Sequence, residues 1–327
     1  MSRRSNRLSE QDKKGVKNII EGKAVYVPSF DEALDEFLKE AKLRNLRPDT
    51  IVYYRNELNT FRKIFQEQDI PLHLNQITSD MLKDHLILYM LDNGAKVGAV
   101  NTRLRAIKVF FNWLEGKEWV KPNPTKDVSL LKDKRNVIET FTKKDLRAMF
   151  NACDLTTFTG VRDYTIMLFL LETGVRLKEL IQINVQDVDL DAGQVLVTDP
   201  KNQLERYVPI GATTCKQLRT YLRLRGYLET DALFVSVNNE RLSRAQIQNQ
   251  IRKIGKKAGV TGVRCSPHTF RHTFAKMSIL NGAGPFELQA ILGHQSMDMV
   301  RVYVNLFSPE VKEMHKRFSP VEKLSQK

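Results

Sequence analysis

The sequence predicts a mainly helical protein of the α+β class, built from two domains with one small β-hairpin. Apolar residues recur at helical spacing through most of the chain, and only two short segments, on either side of Pro200, are rich in β-branched residues. The length of 327 residues corresponds to about two domains, at roughly 100–200 residues each. Pro122 and Pro124 interrupt the helical pattern. We therefore expect an all-helical domain followed by a mixed domain.

The first domain is expected to span residues 29–121, after a flexible basic arm (residues 1–28) that has no sustained apolar period. Ser29 is a good helix N-cap, and the acidic residues that follow it suit the positive end of a helix dipole. Three further helices each have one apolar face. The four helices begin at Ser29, Pro48, Thr78 or Ser79, and about Lys96. Together they form a small helical domain.

Residues 122–140 are expected to form a linker, which could pass over a rod-like ligand while two domains hold its opposite faces. The second domain is expected over residues 141–307. It contains a helix that is apolar on nearly every side, GVRDYTIMLFLLETG, and a hairpin made of QVLVTD and LERYVPIG. Helices follow the hairpin, and residues 308–327 predict a C-terminal helix with one apolar face.

The chain is strongly basic, with 52 Lys and Arg against 38 Asp and Glu and a net charge of +14. Such an excess favours a polyanionic partner, nucleic acid before an anionic membrane surface. Residues 216–276 alone hold 13 basic and 3 acidic side chains. Two groups of basic residues are candidates for DNA phosphate contact, and a solvated face is the alternative for both. They are Arg252, Lys253, Lys256, Lys257 and Arg264 in the second domain, and Arg105 and Lys108 on the fourth helix.

Signals for a membrane or for secretion are not visible in the sequence. No apolar run approaches the roughly 18 residues that span a bilayer, and the N-terminal residues lack an apolar signal core. The three cysteines are scattered and form no CxxC pair, which argues against a disulfide framework and against a Cys-rich zinc site. We expect a cytoplasmic protein.

Arg176 and Glu179 stand three residues apart at the start of a helix that follows a glycine turn. At this spacing the carboxylate can hold the guanidinium in a bidentate contact, although an ordinary surface ion pair has the same pattern. Lys201 occupies the expected hairpin tip. A lysine there is usually exposed, but it can reach into a groove and donate a proton.

The segment SPHTFRH combines a helix start with basic and titratable residues. Ser266 is a good N-cap, and Pro267 suits the first helical position. His268 and Arg271 then lie in the first helical turns, beside free backbone N–H groups, which suits binding of a phosphate. His268 and His272 also have the i, i+4 spacing of zinc ligands. The glutamate of an HExxH motif is missing, so no metal site is expected.

His294 follows a Leu292–Gly293 turn, and Tyr303 lies further on in an apolar helical stretch. Judged singly, a tyrosine in such a stretch is most often a core residue whose hydroxyl has a partner.

Taken together, these fragments resemble the tyrosine recombinase (lambda-type phage integrase) family in both order and spacing. The matching text is TGVRLKEL, PKNQLERYVPI, SPHTFRHTFAKMSILNGAGPFELQAILGH and the helix of Tyr303, and it covers about residues 140–305. The helical first domain is similar, less specifically, to the core-binding domain of that family. Two departures are Pro200, where the family often has glycine, and Val304-Asn305 in place of a frequent Thr-His.

The resemblance implies a C-shaped clamp on double-stranded DNA and strand transfer through a covalent 3′-phosphotyrosyl bond. Each family position falls on a residue of this chain. Tyr303 would be the nucleophile, Arg176 and Arg271 would grip the phosphate, Glu179 would hold Arg176, Lys201 would protonate the leaving 5′ oxygen, His268 would move the tyrosine proton, and His294 would donate a hydrogen bond to the phosphate. No metal, ATP or other cofactor is implied. The assembly implied is a tetramer that joins two DNA sites through a Holliday junction, with the C-terminal helix docked on a neighbouring protomer.

Alternatives remain open on the sequence alone. A type IB topoisomerase shares this chemistry but relaxes single duplexes without a defined partner site. A non-enzymatic DNA-binding protein would explain the charge and the helices but not the whole residue set. A membrane-surface protein would need a basic amphipathic helix with a wide exposed apolar face, which is not seen. The biological role could be integration, excision, or resolution of a mobile element or of replicon dimers.

Overall fold

The computed structural model describes residues 27–132, 138–199, 204–293 and 300–303. The chain divides into two compact units, Met1–Arg135 and Asn136–Lys327, and each has its own apolar core. Most of the predicted basic arm, the predicted C-terminal helix, Lys201 and His294 lie outside the described residues.

The first unit is built from helices in its described part. Its α-helices are α1 (Phe30–Leu43), α2 (Pro48–Gln66), α3 (Ser79–Met81), α4 (Tyr89–Asp92) and α5 (Val97–Gly116). α1 begins at the predicted cap, where the Ser29 side chain accepts from the Glu32 amide and the Glu32 carboxylate accepts from the Ser29 amide. α2 begins at Pro48, because the missing proline N–H costs nothing at the first helical position.

A π-helix interrupts the third predicted helix. Thr78 caps α3 by accepting a hydrogen bond from the Met81 amide, and Leu82–Leu88 then forms the π-helix before α4 begins. Gln68 lies against this segment, with its Nε2 donating to the His85 carbonyl at 2.7 Å and its Oε1 3.1 Å from His85 Nδ1. Apolar spacing over so few residues does not separate a π-helix from an α-helix, so the sequence predicted one continuous helix here.

Aromatic rings join the helices of the first unit. Phe110 on α5 contacts Phe30 and Phe37 on α1 edge to face, at ring-centroid distances of 5.7 and 5.3 Å. Leu58 and Phe61 on α2 are fully buried in the same core. The apolar faces predicted for these helices therefore meet one another.

The first part of the predicted linker packs on the first unit. Val128 is buried in that unit's core. The Asn101 side chain donates to the Leu131 carbonyl at 2.9 Å and accepts from the Leu131 amide at 2.8 Å. Because a side chain of α5 pairs both backbone groups of Leu131, this end of the segment is held against the helix.

The second unit is also mainly helical. Its α-helices are α6 (Lys143–Asn151), α7 (Phe158–Thr173), α8 (Leu177–Gln182), α9 (Ala212–Arg225), α10 (Arg244–Lys257), α11 (Pro267–Leu280) and α12 (Pro285–Leu292). Residues 300–303 are helical as well. α6 starts with a reciprocal cap between Thr142 and Asp145. α7 is buried on most sides, as its apolar sequence predicts, with Met167, Phe169 and Leu170 fully inside.

A small antiparallel sheet follows α8. Its strands, in spatial order, are β1 (Val188–Asp189), β2 (Gln194–Thr198) and β3 (Glu205–Pro209). β2 and β3 form the predicted hairpin, in which Val195 pairs with Val208 and Val197 with Arg206. The three valines are fully buried, so one face of the hairpin joins the core. β1 was not predicted because two residues are too few to show strand alternation.

A separate apolar cluster holds the residues around Tyr303. Its buried members are Ala275, Ile279, Leu288, Leu292, Val300 and Tyr303. Near it, the Phe141 amide donates to Thr273 Oγ1 on α11 at 2.9 Å. This contact ties the segment that enters α6 to the helix that carries the HTFRH motif.

The expected fold class, mainly helical with a small sheet, is confirmed. Of the helices in the described ranges, none is both long enough and apolar enough to cross a membrane.

Candidate active site

Arg176 is placed by the turn between α7 and α8. α7 ends at Gly174, which is left-handed with φ of 59°, and Arg176 is the N-cap of α8. The Arg176 amide donates to Glu179 Oε2 at 2.8 Å, and its Nη1 donates to Glu179 Oε1 at 2.9 Å. The carboxylate therefore holds both the backbone and the guanidinium of Arg176, whereas the sequence suggested two bonds from the guanidinium.

Glu179 is fully buried and also binds Arg206, which comes from β3. Arg206 Nη1 and Nη2 donate to the two carboxylate oxygens at 3.2 and 2.9 Å. Burial alone would raise the pKa of Glu179, but the hydrogen bond and charge of Arg206, and then those of Arg176, lower it below the usual 4.5. Glu179 is thus a charged carboxylate held between two guanidinium groups.

Arg271 lies at the centre of the site and is only 4% exposed. Ser266 caps α11 and Pro267 occupies its first turn, as predicted. Arg271 Nη1 donates to the Gly174 carbonyl at 2.6 Å, and Nη2 donates to the Leu292 carbonyl at 3.0 Å. Burial, and then the charge of Arg176, lower the pKa of Arg271 to about 10. The side chain therefore remains a cation at neutral pH.

Tyr303 is 2% exposed, and its hydroxyl contacts α11. His272 Nδ1 lies 2.8 Å from the hydroxyl oxygen, and Arg271 also donates to this hydroxyl. Burial raises the pKa of Tyr303 above its usual 10.0, and the charges of Arg271 and Arg176 oppose that rise. The phenol is therefore protonated at neutral pH and lies beside a cation.

The two histidines of HTFRH occupy different positions on α11. His268 is exposed in the first turn, and its ring lies 6.3 Å from that of His272. Partial burial, and then the charges of Arg271, Arg264 and Arg176, lower the pKa of His268 below 6.5. Burial, and then His268 and Arg271, also lower the pKa of His272. Both rings are neutral at pH 7, and it is His272 that contacts the tyrosine hydroxyl.

The structure brings five of the sequence-predicted site residues together, with Arg271 at the centre. They are Arg176, Glu179, His268, Arg271 and Tyr303. Lys201 and His294 lie outside the described residues. Arg206 on β3 and Gly293 contact the same group of side chains. Arg176 Nη2 donates to the Gly293 carbonyl at 3.4 Å, and Arg206 Nε donates to the Ile291 carbonyl at 2.9 Å.

The basic residues proposed to contact DNA differ in their surroundings. Six of them are exposed: Arg105, Arg252, Lys253, Lys256, Lys257 and Arg264. Lys257 donates to the Ala152 carbonyl at 2.7 Å, and the half-buried Lys108 donates to the Thr125 carbonyl. The amino groups of these two lysines are thus engaged in binding their own units.

Sequence reasoning missed Arg206 and considered His272 only as a zinc ligand. An arginine within the half-buried strand LERYVPIG was the available signal for Arg206, since a buried charge needs a partner. Nothing in the local sequence placed His272 against Tyr303. In the described parts of the chain, no group of three or more His, Cys, Asp or Glu side chains is arranged to hold a metal ion.

The arrangement suits the binding of a phosphate beside a phenol. Arg176 is 35% exposed at its side chain and lies next to Arg271, so a phosphate diester could approach both cations. Their charges would stabilise negative charge that builds up as an oxygen nucleophile attacks phosphorus. The Tyr303 hydroxyl is the oxygen that lies beside Arg271.

Family comparisons agree with this chemistry. The phage integrase family matches residues 139–309, and the phage integrase N-terminal SAM-like domain matches residues 34–118. The tyrosine recombinase XerD of Staphylococcus saprophyticus is 30% identical over 297 residues, which cover 89% of this chain and 99% of the relative. The tyrosine recombinase XerC of Oceanobacillus iheyensis is 27% identical over 296 residues, which cover 88% of this chain and 95% of the relative.

Solved structures share the fold. A lambda integrase dimer bound to a COC′ core site has a TM-score of 0.73 at 17% identity and covers 91% of this chain and 81% of its own. The XerH site-specific recombinase bound to palindromic difH substrate has a TM-score of 0.70 at 20% identity and covers 95% of this chain and 90% of its own.

The fold and the sequence relatives define the class, an enzyme that cleaves DNA strands and rejoins them. More specifically, the chain belongs to the phage integrase family of tyrosine recombinases, whose model matches more than half of its length. The family resemblance inferred from the sequence motifs is thereby confirmed, as is the class of enzyme.

Proposed function

We propose that this chain recombines double-stranded DNA at a defined core site and that Tyr303 is its nucleophile. The observation that carries the proposal is the buried Tyr303 hydroxyl, bonded by the Arg271 cation. In the reaction, the phenolic oxygen bonds to phosphorus and the 5′ oxygen leaves, which gives a 3′-phosphotyrosine. Because the phosphotyrosine bond conserves the energy of the broken phosphodiester bond, rejoining requires neither ATP nor a metal ion.

Arg176 and Arg271 would hold the non-bridging oxygens of the phosphate. Charge-assisted bonds from guanidinium groups strengthen as negative charge develops in the transition state. Glu179 and Arg206 support this role, because they fix Arg176 in place behind the phosphate. His268 is exposed in the first turn of α11, at the positive end of the helix dipole, and would contact a phosphate oxygen.

Two further roles belong to residues outside the described ranges. Lys201 would donate a proton to the leaving 5′ oxygen, and His294 would donate a hydrogen bond to the phosphate. Support comes from nearby positions in the chain, since Arg206, five residues after Lys201, and Gly293, just before His294, both contact groups of the site.

DNA binding would involve both units, with residues 29–121 as a helical DNA-binding domain and residues 141–307 as the catalytic domain. Arg105, Arg252 and Lys253 are suited to phosphate contact because they are exposed cations. A lambda integrase, 17% identical to this chain, forms a tetramer bound to a Holliday junction. We propose the same assembly here, with two DNA sites held by four protomers.

The proposed biological role is integration or excision, or the resolution of a mobile element or replicon, in the cytoplasm of a prokaryote. Support comes from the staphylococcal XerD and the Oceanobacillus XerC, which are tyrosine recombinases of bacteria. The DNA of such a cell lies in its cytoplasm.

A covalent trap tests the proposed reaction. Wild type and Tyr303→Phe would be expressed in cells, denatured rapidly in EDTA, and the DNA attached to the protein would be sequenced. We expect wild type alone to carry DNA, joined through its 3′ end at one recurring sequence, because the phenylalanine lacks the attacking oxygen. Retained DNA binding by Tyr303→Phe is the control for folding.

Other outcomes separate the alternatives. Adducts scattered over the genome would favour a type IB topoisomerase. If wild type forms no adduct, even on a nicked substrate that traps the intermediate, the protein is a binding protein without strand transfer. Equal loss of DNA binding and cleavage in Tyr303→Phe would make Tyr303 a core residue.

A further inference from the structure

His272 is the residue next to Arg271 that touches the tyrosine hydroxyl. Its Nδ1 lies 2.8 Å from Tyr303 Oη, and the two ring centroids are 5.7 Å apart. The contact joins α11 to the helical residues 300–303 across 31 positions of the chain. One turn of α11 thus carries a cation and an imidazole that both reach the same hydroxyl.

We propose that His272 is a further catalytic residue, which accepts the proton of Tyr303 as the phenolic oxygen attacks the DNA phosphorus. The inference rests on the proposed function, because it requires Tyr303 to be the nucleophile. It assigns the tyrosine proton to His272, whereas the family resemblance assigned it to His268.

The protonation states fit this role. Burial, and then the neighbouring His268 and Arg271, lower the pKa of His272, so the ring is neutral at pH 7. Burial raises the pKa of Tyr303 in spite of Arg271 and Arg176, so the hydroxyl keeps its proton and needs a base. With its own proton on Nε2, the neutral ring accepts a hydrogen bond at Nδ1 from the hydroxyl.

The proposed proton transfer and strand cleavage need no reactant other than the DNA. The proton moves from Tyr303 Oη to His272 Nδ1 while the bond from Oη to phosphorus forms. The bond between phosphorus and the 5′ oxygen breaks, and that oxygen takes a proton from the acid assigned above, Lys201. In rejoining, the 5′ hydroxyl attacks the phosphotyrosine and returns its proton to the amine of Lys201, while the imidazolium of His272 gives its proton to the departing phenolate.

His268 is less well placed for this proton. It is exposed in the first turn of α11, at the positive end of the helix dipole, and Arg264 is among the charges that act on it. Its ring lies 6.3 Å from that of His272. These surroundings suit a contact to phosphate. In this proposal His272 accepts the tyrosine proton and His268 contacts the phosphate.

The test is single-turnover cleavage of a nicked target DNA by the full chain, measured from pH 5.5 to 9.5. In wild type the rate should rise as His272 loses its proton and then become constant. His272→Ala should be about a hundredfold slower or more, the size of a lost general base. Its rate should go on rising with pH toward the ionisation of tyrosine, and added imidazole should restore part of the loss.

His268→Ala is the matched control, one turn earlier on the same helix. It should lose rate through the phosphate contact but keep the wild-type pH dependence and show no rescue by imidazole. His272→Gln, which retains a polar group, provides a second variant if the alanine variant does not fold. Binding of intact target DNA checks the folding of each variant.

A modified substrate separates the two proton transfers. When sulfur replaces the leaving 5′ oxygen, the leaving group needs no proton, so Lys201→Ala should recover its rate while His272→Ala stays slow. Recovery of His272→Ala on this substrate would overturn the proposal, as would a slow variant with the wild-type pH profile and no imidazole rescue. If wild type itself forms no covalent complex, the proposed function fails, and this inference fails with it.

Discussion

At the scale of single residues, Glu179 holds two arginines of the site in place. Its side chain is fully buried, yet it is charged because Arg206 and Arg176 bind it from two different elements. Arg206 also donates to the Ile291 carbonyl at 2.9 Å. A Cβ at Gly293 would lie 2.8 Å from Arg206 Nη1, so glycine at that position lets the guanidinium pass close to the turn.

Replacing Arg206 tests how much this network contributes. Arg206→Gln should lower the free energy of unfolding by about 3–5 kcal/mol, because the buried Glu179 carboxylate loses one of its two cations. The pKa of Glu179 should rise for the same reason. Strand cleavage should also slow, since Arg176 is held through Glu179. Urea unfolding and the single-turnover cleavage rate measure the two effects.

Arg219→Gln is the matched control for this substitution. Arg219 pairs with Asp191 at 3.3 Å, and the Asp191 side chain is fully exposed, so the loss should be within about 1 kcal/mol. An equal effect of the two substitutions would show that the Arg206 network does not stabilise the fold.

The turn between α7 and α8 is the critical element of the site. It carries Gly174, whose carbonyl accepts from Arg271, and Arg176 two residues later. Gly174 is left-handed, and a Cβ there would lie 2.4 Å from the Phe274 side chain and 2.8 Å from that of Leu292. Both the backbone conformation and the close packing therefore require glycine.

Gly174→Ala should destabilise the protein and displace both arginines. The left-handed conformation costs an alanine about 1–2 kcal/mol, and the overpacking adds about 1–3 kcal/mol. Denaturant unfolding measures the sum, and the cleavage rate reports the displacement of Arg176 and Arg271.

Gly259→Ala isolates the conformational part of that cost. Gly259 has φ of 69°, and nothing lies within 4 Å of a Cβ built there. Its cost should therefore be confined to about 1–2 kcal/mol. If Gly174→Ala costs no more than Gly259→Ala, the contacts with Phe274 and Leu292 do not restrict the turn.

The sequence predicted the start of a helix correctly where residues within one helical turn determine it. The caps at Ser29, Thr142 and Ser266 are present as hydrogen-bonded N-caps, because a cap depends on residues within one turn. The π-helix Leu82–Leu88 and the short β1 escaped prediction. The first lies against Gln68 of another segment, and the second forms only by pairing with β2.

At the scale of the whole molecule, the net charge of +14 fits a DNA-binding enzyme. The predicted C-terminal helix, residues 308–327, lies outside the described residues, and its apolar stripe is Val311, Met314 and Phe318. The family resemblance implies that such a helix docks on a neighbouring protomer.

Deletion of residues 308–327 should weaken assembly on DNA more than binding of one protomer to one half-site. The apolar stripe would be lost, and with it the contact between protomers. Gel-shift titrations on half-site and full-site DNA, together with the cooperativity of cleavage, measure the difference. Deletion of residues 319–327, which keeps the stripe, is the control. Unchanged assembly in the longer deletion would mean that the helix packs on its own domain.

The sequence by itself determined the fold class, the starts of several helices, the hairpin and the family, because these depend on local spacing and on motifs in a fixed order. Only the tertiary structure decided which side chains meet. The Glu179 carboxylate binds Arg206 across 27 residues, and His272 meets Tyr303 across 31. Such pairs form through the packing of separate elements, and packing depends on the shape of the whole core, which no local pattern records.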